Sequence, residues 1–209
     1  MRTLRSFSLI AAFAAALTVA PASQAAEVIF GTEGVFTASG TSTLDLGGGN
    51  LLQFFGEGLN LVNADPTSQA TFGEFDTSLI TSPVNIPIVT GFTLTILQLS
   101  PAPTGDPDVV FSGTISGTIR IDNSGAFLQF DGPLSQSIAS VIGPVTYSIL
   151  SGDSFTPGRV NINPSTTNGG RSTIAGLVTV IPEPSSIVLA GLAAPLVLIV
   201  RARRSAAKA

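Results

Sequence analysis

A strict alternation of apolar and polar residues over residues 111–121 constrains the fold of this chain more than any other feature. Phe111, Ile115 and Ile119 lie on one side of the pattern, and serine and threonine residues occupy the other side. A period of two residues is that of a half-buried β-strand. The polar turn at residues 122–125 and the apolar segment at 126–130 predict that this strand continues into a hairpin.

Other segments of β character follow one another between turns rich in Gly, Pro, Asn and Asp. They are residues 27–38, 41–46, 50–56, 58–62, 70–75, 92–99, 145–150, 158–162 and 172–181. Only residues 134–142 carry a helical period, and a helix is the alternative there. We therefore expect an all-β fold, with a single β-sandwich-like ectodomain of about eight to ten strands over residues 26–180.

A short internal repeat lies within the alternating segment, where Ser-Gly-Thr-Ile occurs twice over residues 112–119. Its Ser and Thr side chains would form a ladder of hydroxyls along one strand. Such a ladder could bind a glycan or order water. The alternative is a solvent-facing stripe whose residues favour β structure and do nothing more.

Positive charge is segregated to the two ends of the chain. Residues 26–181 hold three of the nine cations and twelve of the thirteen acidic residues, so the net charge of this region is near −9. A surface of this charge repels nucleic acid and anionic membranes. We therefore exclude DNA or RNA as a partner.

The chain contains neither cysteine nor histidine. Thiol catalysis, disulfides, a Ser-His-Asp triad and the usual zinc sites are therefore ruled out. The remaining acid–base groups are carboxylates and the single phenol, that of Tyr147. We expect a protein that is not an enzyme, with no catalytic residues and no cofactor.

Two acidic residues on a proline-stiffened loop, Asp106 and Asp108, are the first candidates for a calcium site. Calcium prefers oxygen ligands, and carboxylates supply them. The spacing does not match an EF-hand loop, which needs alternating acids, a central glycine and a distal glutamate. A polar loop is the alternative, and we predict no defined metal site.

The first 25 residues have the three parts of a secretory signal peptide. Arg2 and Arg5 form a basic start, residues 7–19 are apolar and rich in alanine, and small residues follow at 21–25. This pattern predicts export, with cleavage by signal peptidase after Ala25. The alternatives are cleavage after Ala22 or Ala26, or an uncleaved N-terminal anchor.

Residues 181–209 place a stiff tripeptide, an apolar run and a basic tail in that order. Pro182 and Pro184 fix two backbone φ angles and hold Glu183 on an extended peptide. Residues 187–200 are apolar. Together with the two serines before it, this run would extend roughly 24 Å as a helix, against about 30 Å of bilayer hydrocarbon.

The basic tail favours a membrane span over a buried helix, which length alone would allow. Cations directly after an apolar run mark its cytoplasmic side. We therefore predict a transmembrane helix at 187–200 and a cytoplasmic tail at 201–209. The cations that set this topology are Arg201, Arg203, Arg204 and Lys208.

The order of these parts resembles a PEP-CTERM sorting signal, the C-terminal segment of exosortase substrates in Gram-negative bacteria. The matching residues are Pro182-Glu183-Pro184-Ser185, the apolar run and the basic cluster at 201–204. A segment of this type is also named an ice-binding protein C-terminal domain. The resemblance is limited to about residues 181–209. It implies that an exosortase-like membrane transpeptidase recognises Pro182, Glu183 and Pro184 and then releases or transfers the cargo. An ordinary linker before a plain anchor is the alternative.

Two functions follow for the exported domain. The first is a non-enzymatic cell-surface or extracellular-matrix protein, held transiently in the inner membrane with a periplasmic ectodomain and then sorted to the surface or the exopolysaccharide layer. The second is a secreted glycan-binding domain, or less readily a glycan-cleaving one, that uses the same tag for delivery. Tryptophan is absent, which leaves few aromatic platforms for sugars, although Phe54-Phe55 could serve as one.

Overall fold

The alternating segments of the sequence form β-strands in the structure, a computed structural model that describes residues 25–152 and 156–181. The predicted sorting motif, transmembrane helix and basic tail, and all of the signal peptide before Ala25, lie outside these residues. The described part is all-β, as predicted, and contains no α-helix. Its strands are β1 (Ala26–Phe36), β2 (Thr43–Asp45), β3 (Leu51–Phe55), β4 (Asn60–Ala64), β5 (Thr67–Asp76), β6 (Ile86–Ser100), β7 (Asp108–Arg120), β8 (Asn123–Ser124), β9 (Phe127–Asp131), β10 (Ser135–Ile138), β11 (Val145–Ile149), β12 (Arg159–Asn161) and β13 (Arg171–Val180).

The strands form two sheets in which the neighbouring strands run antiparallel. Sheet 1 has the order β12-β9-β7-β6-β1-β4, and β8 pairs with β7 beside this path. Sheet 2 has the order β10-β11-β13-β5-β3-β2. On these two paths only β6–β7, β10–β11 and β2–β3 join consecutive strands, and the chain passes between the two sheets several times.

The predicted hairpin is present, and β7 is its first arm. Ser112 pairs with Asp131, and Ser116 pairs with Phe127. The same register continues through β8, where Arg120 pairs with Asn123. The turn is therefore shorter than residues 122–125, because Asn123 already belongs to the returning arm.

The core forms between the two sheets, and aromatic rings dominate it. Phe30 of sheet 1 packs edge-on against Phe72 and Tyr147 of sheet 2, with ring centroids 5.7 and 5.5 Å apart. Further along, Phe92 of sheet 1 meets Phe54 and Phe75 of sheet 2 at 5.1 and 5.0 Å. Aromatic pairs of this geometry add to the free energy gained by burying their area.

A glycine makes room for part of this aromatic cluster. Gly34 is buried on β1, where a methyl group would lie 2.6 Å from Phe92 Cζ and closer still to the Phe54 ring. Any larger residue would therefore displace an aromatic ring. The glycine is needed here for space, since its φ angle is not positive.

Two expectations about secondary structure need correction. The described residues hold thirteen strands, more than the expected eight to ten, because several are only two to four residues long. The helix considered for residues 134–142 is wrong. Residues Ser135–Ile138 form β10, which pairs with β11. This segment is extended because it pairs with β11 at the edge of sheet 2. The hydrophobic periodicity of one segment does not show which strand it will pair with.

Candidate functional site

The first and last described strands reach the same end of the domain. Ala26, at the start of β1, pairs with Ala64 at the end of β4. The chain then crosses to sheet 2, where the Pro66 carbonyl accepts a hydrogen bond of 2.8 Å from the N–H of Val180. The domain therefore starts and finishes on either side of one short connection, at what we term the proximal end.

Two loops cover the proximal end and hold each other in place. They join β6 to β7 and β10 to β11. The N–H of Thr104 donates to the Ala139 carbonyl over 2.9 Å, and the N–H of Val141 donates to the Ala102 carbonyl over 3.2 Å. The second loop also contacts the outgoing chain, since Ile181 N–H donates to the Pro144 carbonyl over 3.4 Å.

The buried residue Gln98 holds the loop between β6 and β7 in place. The side chain of Gln98 donates from Nε2 to the Pro101 carbonyl over 2.6 Å. Its backbone N–H donates to the carbonyl of Pro107 over 2.8 Å, so this one residue bonds to both ends of the loop. Its remaining acceptor, Oε1, receives the hydroxyl proton of Tyr147 over 3.1 Å.

The phenol of Tyr147 is therefore structural rather than reactive. Its side chain is buried, and desolvation by that burial raises its pKa above the usual range. A neutral phenol that donates to an amide inside the core keeps its proton at physiological pH. The only phenol of the chain thus joins the two sheets beneath the proximal loops.

The calcium candidates lie on the same loop. Asp106 and Asp108 are both exposed, and Asp108 is the first residue of β7, opposite Leu97. Over residues 25–152 and 156–181, no three acidic side chains come together as metal ligands. A calcium site at Asp106 and Asp108 is untested, and it would rest on two exposed carboxylates.

The arginines of the domain have partners within it. Arg120 pairs with Asp122 over 2.8 Å, and Arg171 pairs with Glu74. Arg159 lies over the Phe127 ring with 3.8 Å between its guanidinium carbon and the ring centroid, a cation–π contact. These cations are therefore engaged on the domain surface.

The predicted hydroxyl stripe lies on the outer face of sheet 1. Ser112, Thr114 and Thr118 are exposed there, as the alternation predicts, and Ser116 is half-buried. Thr114 donates to a carboxylate oxygen of Asp131 at 3.5 Å, across the hairpin. The stripe is thus accessible along one strand.

A second set of hydroxyls crosses the outer face of sheet 2, and our sequence reasoning missed it. Ser137, Thr146, Thr179 and Thr67 occupy paired positions on four neighbouring strands. Ser137 Oγ lies 2.8 Å from Thr146 Oγ1, and Thr179 Oγ1 lies 2.9 Å from Thr67 Oγ1. Such cross-strand pairs stabilise a sheet. The alternating Ser and Thr residues of these strands were the available signal, but only the sheet order places them in one row.

An open groove of about 580 Å³ lies where the edge of sheet 1 meets sheet 2. Strand β4 forms one wall, and the start of β5 forms the other. The polar side chains in its lining are amides and hydroxyls, and none carries a charge: Asn60, Asn63, Ser68, Gln69 and Thr71. The groove is open to solvent, and its uncharged lining would suit a neutral polar ligand better than a charged one.

The aromatic pair considered as a sugar platform does not act as one. Phe54 is buried in the core, whereas Phe55 is exposed on the opposite face of β3. Consecutive residues of a strand point to opposite faces, so they cannot form one flat platform. This interpretation of Phe54-Phe55 is wrong.

Comparison of the chain with protein-family models, with characterised proteins and with solved structures finds no match in any of the three. The resemblance of residues 181–209 to a sorting signal therefore stays a prediction from the sequence. Within the described part of the chain, no helix is long and apolar enough to cross a membrane. The predicted span at residues 187–200 lies outside that part.

Proposed function

We propose that this chain is an exported bacterial cell-surface or extracellular-matrix protein without enzymatic activity. Residues 1–25 direct export and are removed by signal peptidase. Residues 26–180 form the β-sandwich-like cargo. Residues 181–209 hold that cargo transiently in the inner membrane, with the cargo in the periplasm, until an exosortase-like transpeptidase acts at Pro182, Glu183 and Pro184. The processed cargo then reaches the surface, where exopolysaccharide is a further partner.

The observation that carries the proposal is the shared position of the two chain ends. Ala26 and Val180 lie on either side of the Ala64–Thr67 connection. A domain whose two ends leave it on the same side can be attached to one membrane through both ends without a long linker around its surface. The proximal end meets this requirement before the signal peptide is removed and after it.

The position of the tripeptide also favours processing without damage to the cargo. Pro182 is two residues beyond Val180, the last residue of β13. Cutting within or after residues 182–184 would leave every strand intact. The product would therefore keep its fold after release or transfer.

The chemistry of the available side chains supports the proposal that the protein is not an enzyme. The chain has no histidine or cysteine, and its single phenol is buried and bonded to Gln98. The neutral groove between β4 and β5 has no carboxylate in its lining. The acid–base pair that glycoside hydrolysis needs is therefore lacking in this groove.

The proposal is tested by changing the tripeptide in a host that carries the sorting enzyme. Replacing Pro182, Glu183 and Pro184 by alanine should leave the protein at its full anchored mass in the membrane fraction, whereas the natural sequence is shortened and leaves that fraction. Pro83→Ala, at an exposed proline in another loop, serves as the control and should be processed normally. If the triple variant and the natural protein have the same mass and fractionation, residues 181–209 serve only as an anchor and not as a sorting signal.

The groove supports a second candidate function, a glycan-binding domain delivered by the same tag. Amide and hydroxyl side chains bind sugar hydroxyls without needing charge. Asn60 and Gln69 lie on opposite walls of the groove, so they are the residues to test. Full-length protein in detergent should bind selected glycans on an array, and Asn60→Ala with Gln69→Ala should abolish that binding. If the natural protein binds no glycan selectively, the glycan-binding function is ruled out and only the role as a surface or matrix protein remains.

A further inference from the structure

The proximal end carries apolar side chains that the domain leaves uncovered. Val141 is 67% exposed, Ile142 is 40% exposed and Ile181 is 59% exposed. The loop that holds Val141 and Ile142 bonds directly to Ile181 through the carbonyl of Pro144. We term these three residues the proximal rim.

Further apolar side chains are exposed on the outer face of sheet 1. Three further large apolar residues are exposed near the proximal ends of β6 and β7: Leu97, Leu99 and Val110. Leu61 is exposed near the other end of β4, beside the half-buried Ile29. Clustered apolar exposure of this kind marks an interaction surface more often than scattered residues do.

The charges at this end indicate which surface would suit the proximal rim. Arg120 and Arg171 lie at the opposite ends of their strands, and Arg159 pairs with Gln129 away from the rim. Acidic residues, Asp65 and Asp106, are exposed on the proximal loops. Anionic surfaces are therefore disfavoured, and a zwitterionic lipid surface fits better.

The length of chain beyond Ile181 places a bilayer within reach. This step rests on the proposed function, in which residues 187–200 enter the membrane. Only residues 182–186 connect Ile181 to that run, and two of them are proline. Five residues span about 15–18 Å even when extended. Attachment by so short a tether makes binding of the rim effectively intramolecular, so a small affinity is enough to order it.

We propose that the proximal rim rests in the headgroup region of a zwitterionic bilayer while the protein is anchored. The apolar side chains of Val141, Ile142 and Ile181 enter the interface, and the strands of both sheets point away from it. Only five residues separate Ile181 from the apolar run, so the sorting tripeptide within them would stay near the lipid surface, the level at which a membrane enzyme acts.

The absence of cysteine allows a direct test with single labels. Val141→Cys and Val84→Cys each place a polarity-sensitive fluorophore at an exposed valine, the first on the proximal rim and the second in the β5–β6 connection near the other end. The full chain is reconstituted into phosphatidylcholine vesicles containing headgroup spin-labelled lipid. We expect a blue-shifted emission and severalfold stronger quenching at position 141 than at position 84.

A matched pair of charge variants tests the role of the apolar side chains. With the fluorophore at Thr104→Cys, a neighbouring loop position, Val141→Asp with Ile142→Asp should lower the quenching to the level seen at position 84. Leu79→Asp with Val84→Asp, exposed in the other end's loop, should leave it unchanged. Replacing a third of the lipid by phosphatidylglycerol should weaken the quenching.

The outcomes separate this inference from the proposed function. If the chain floats with vesicles but positions 141 and 84 are quenched equally, the rim does not bind lipid although the anchor stands. If position 141 is shielded yet insensitive to the lipid quencher, a protein such as a second copy covers the rim, and the lipid assignment is overturned. Stronger quenching with phosphatidylglycerol overturns the zwitterionic assignment. If the chain does not float with vesicles, the anchor and this inference fail together.

Discussion

The hydroxyl of Tyr147 on sheet 2 donates to Oε1 of Gln98 on sheet 1, 3.1 Å away and inside the core. Gln98 uses its other polar groups to hold both ends of the β6–β7 loop. The bond therefore connects sheet packing to the conformation of the proximal loops. Loss of either partner should therefore weaken both the packing of the two sheets and the conformation of the proximal loops.

Removing the Tyr147 hydroxyl should destabilise the domain at neutral pH. Tyr147→Phe keeps the ring contacts with Phe30 and Phe72 but leaves Oε1 of Gln98 without its donor. An unsatisfied buried acceptor costs about 1–3 kcal/mol. Urea unfolding followed by circular dichroism should show this loss. A variant as stable as the natural protein would mean that water replaces the hydroxyl.

The same residue should make stability fall in alkali. Burial raises the pKa of Tyr147 above its ordinary value of 10.0, so the unfolded chain loses the phenolic proton before the folded one does. Stability is therefore fully present below pH 10 and is lost above it, by about 1.4 kcal/mol per pH unit for this group. Urea unfolding at a series of alkaline pH values measures the slope. Tyr147→Phe should lack it, and an equal slope in both proteins would assign the loss to other groups.

Gly34→Ala should disrupt the aromatic cluster that joins the sheets. The added methyl group would collide with the Phe54 and Phe92 rings. Overpacking of this kind costs about 1–3 kcal/mol. Gly58→Ala is the control, since a methyl group there meets nothing within 4 Å. Thermal unfolding should separate the two variants, and equal midpoints would show that the rings move aside freely.

Asn50 should contribute strongly to the loops opposite the proximal end. Its buried side chain accepts from the N–H groups of Thr81 and Ser82 at 2.9 and 3.0 Å and donates to the Gly47 carbonyl at 2.8 Å. Asn50→Ala leaves these groups without partners and should cost about 2–3 kcal/mol.

Two comparison variants refine this prediction. Asn50→Asp keeps an acceptor for both N–H groups but places a carboxylate oxygen against the Gly47 carbonyl, so it should also destabilise the domain at neutral pH. The exposed Asn63→Ala should change the free energy of unfolding by less than about 0.5 kcal/mol. Chemical denaturation measures all three, and a similar small loss for Asn50→Ala and Asn63→Ala would contradict the role given to Asn50.

The sequence patterns were sufficient to predict most of the strands and one pairing. Each predicted strand overlaps an observed one, and β7 and β9 form the hairpin because a short turn brings alternating neighbours together. Alternation reports burial on one face, and that is a local property. The misread segment at 134–142 shows its limit, since β10 is defined by a partner seven or more residues away.

The parts of the candidate site that depend on sheet order could not be predicted. Gln98 and Tyr147 are 49 residues apart and lie on different sheets. Thr67 and Thr179 are 112 residues apart and yet form one hydroxyl pair. No local pattern encodes such contacts, because they arise from the order in which strands pair. The shared position of Ala26 and Val180 is of the same kind.

The place of β13 within sheet 2 has a mechanical consequence. This strand, which ends at Val180, is bonded to β11 on one side and to β5 on the other. A pull on the chain beyond Ile181 therefore enters the domain through an interior strand, where two ladders of hydrogen bonds share the force. Peeling an edge strand would break only one ladder. While the protein is anchored, a pulling force therefore acts on an interior strand of sheet 2 and not on its edge.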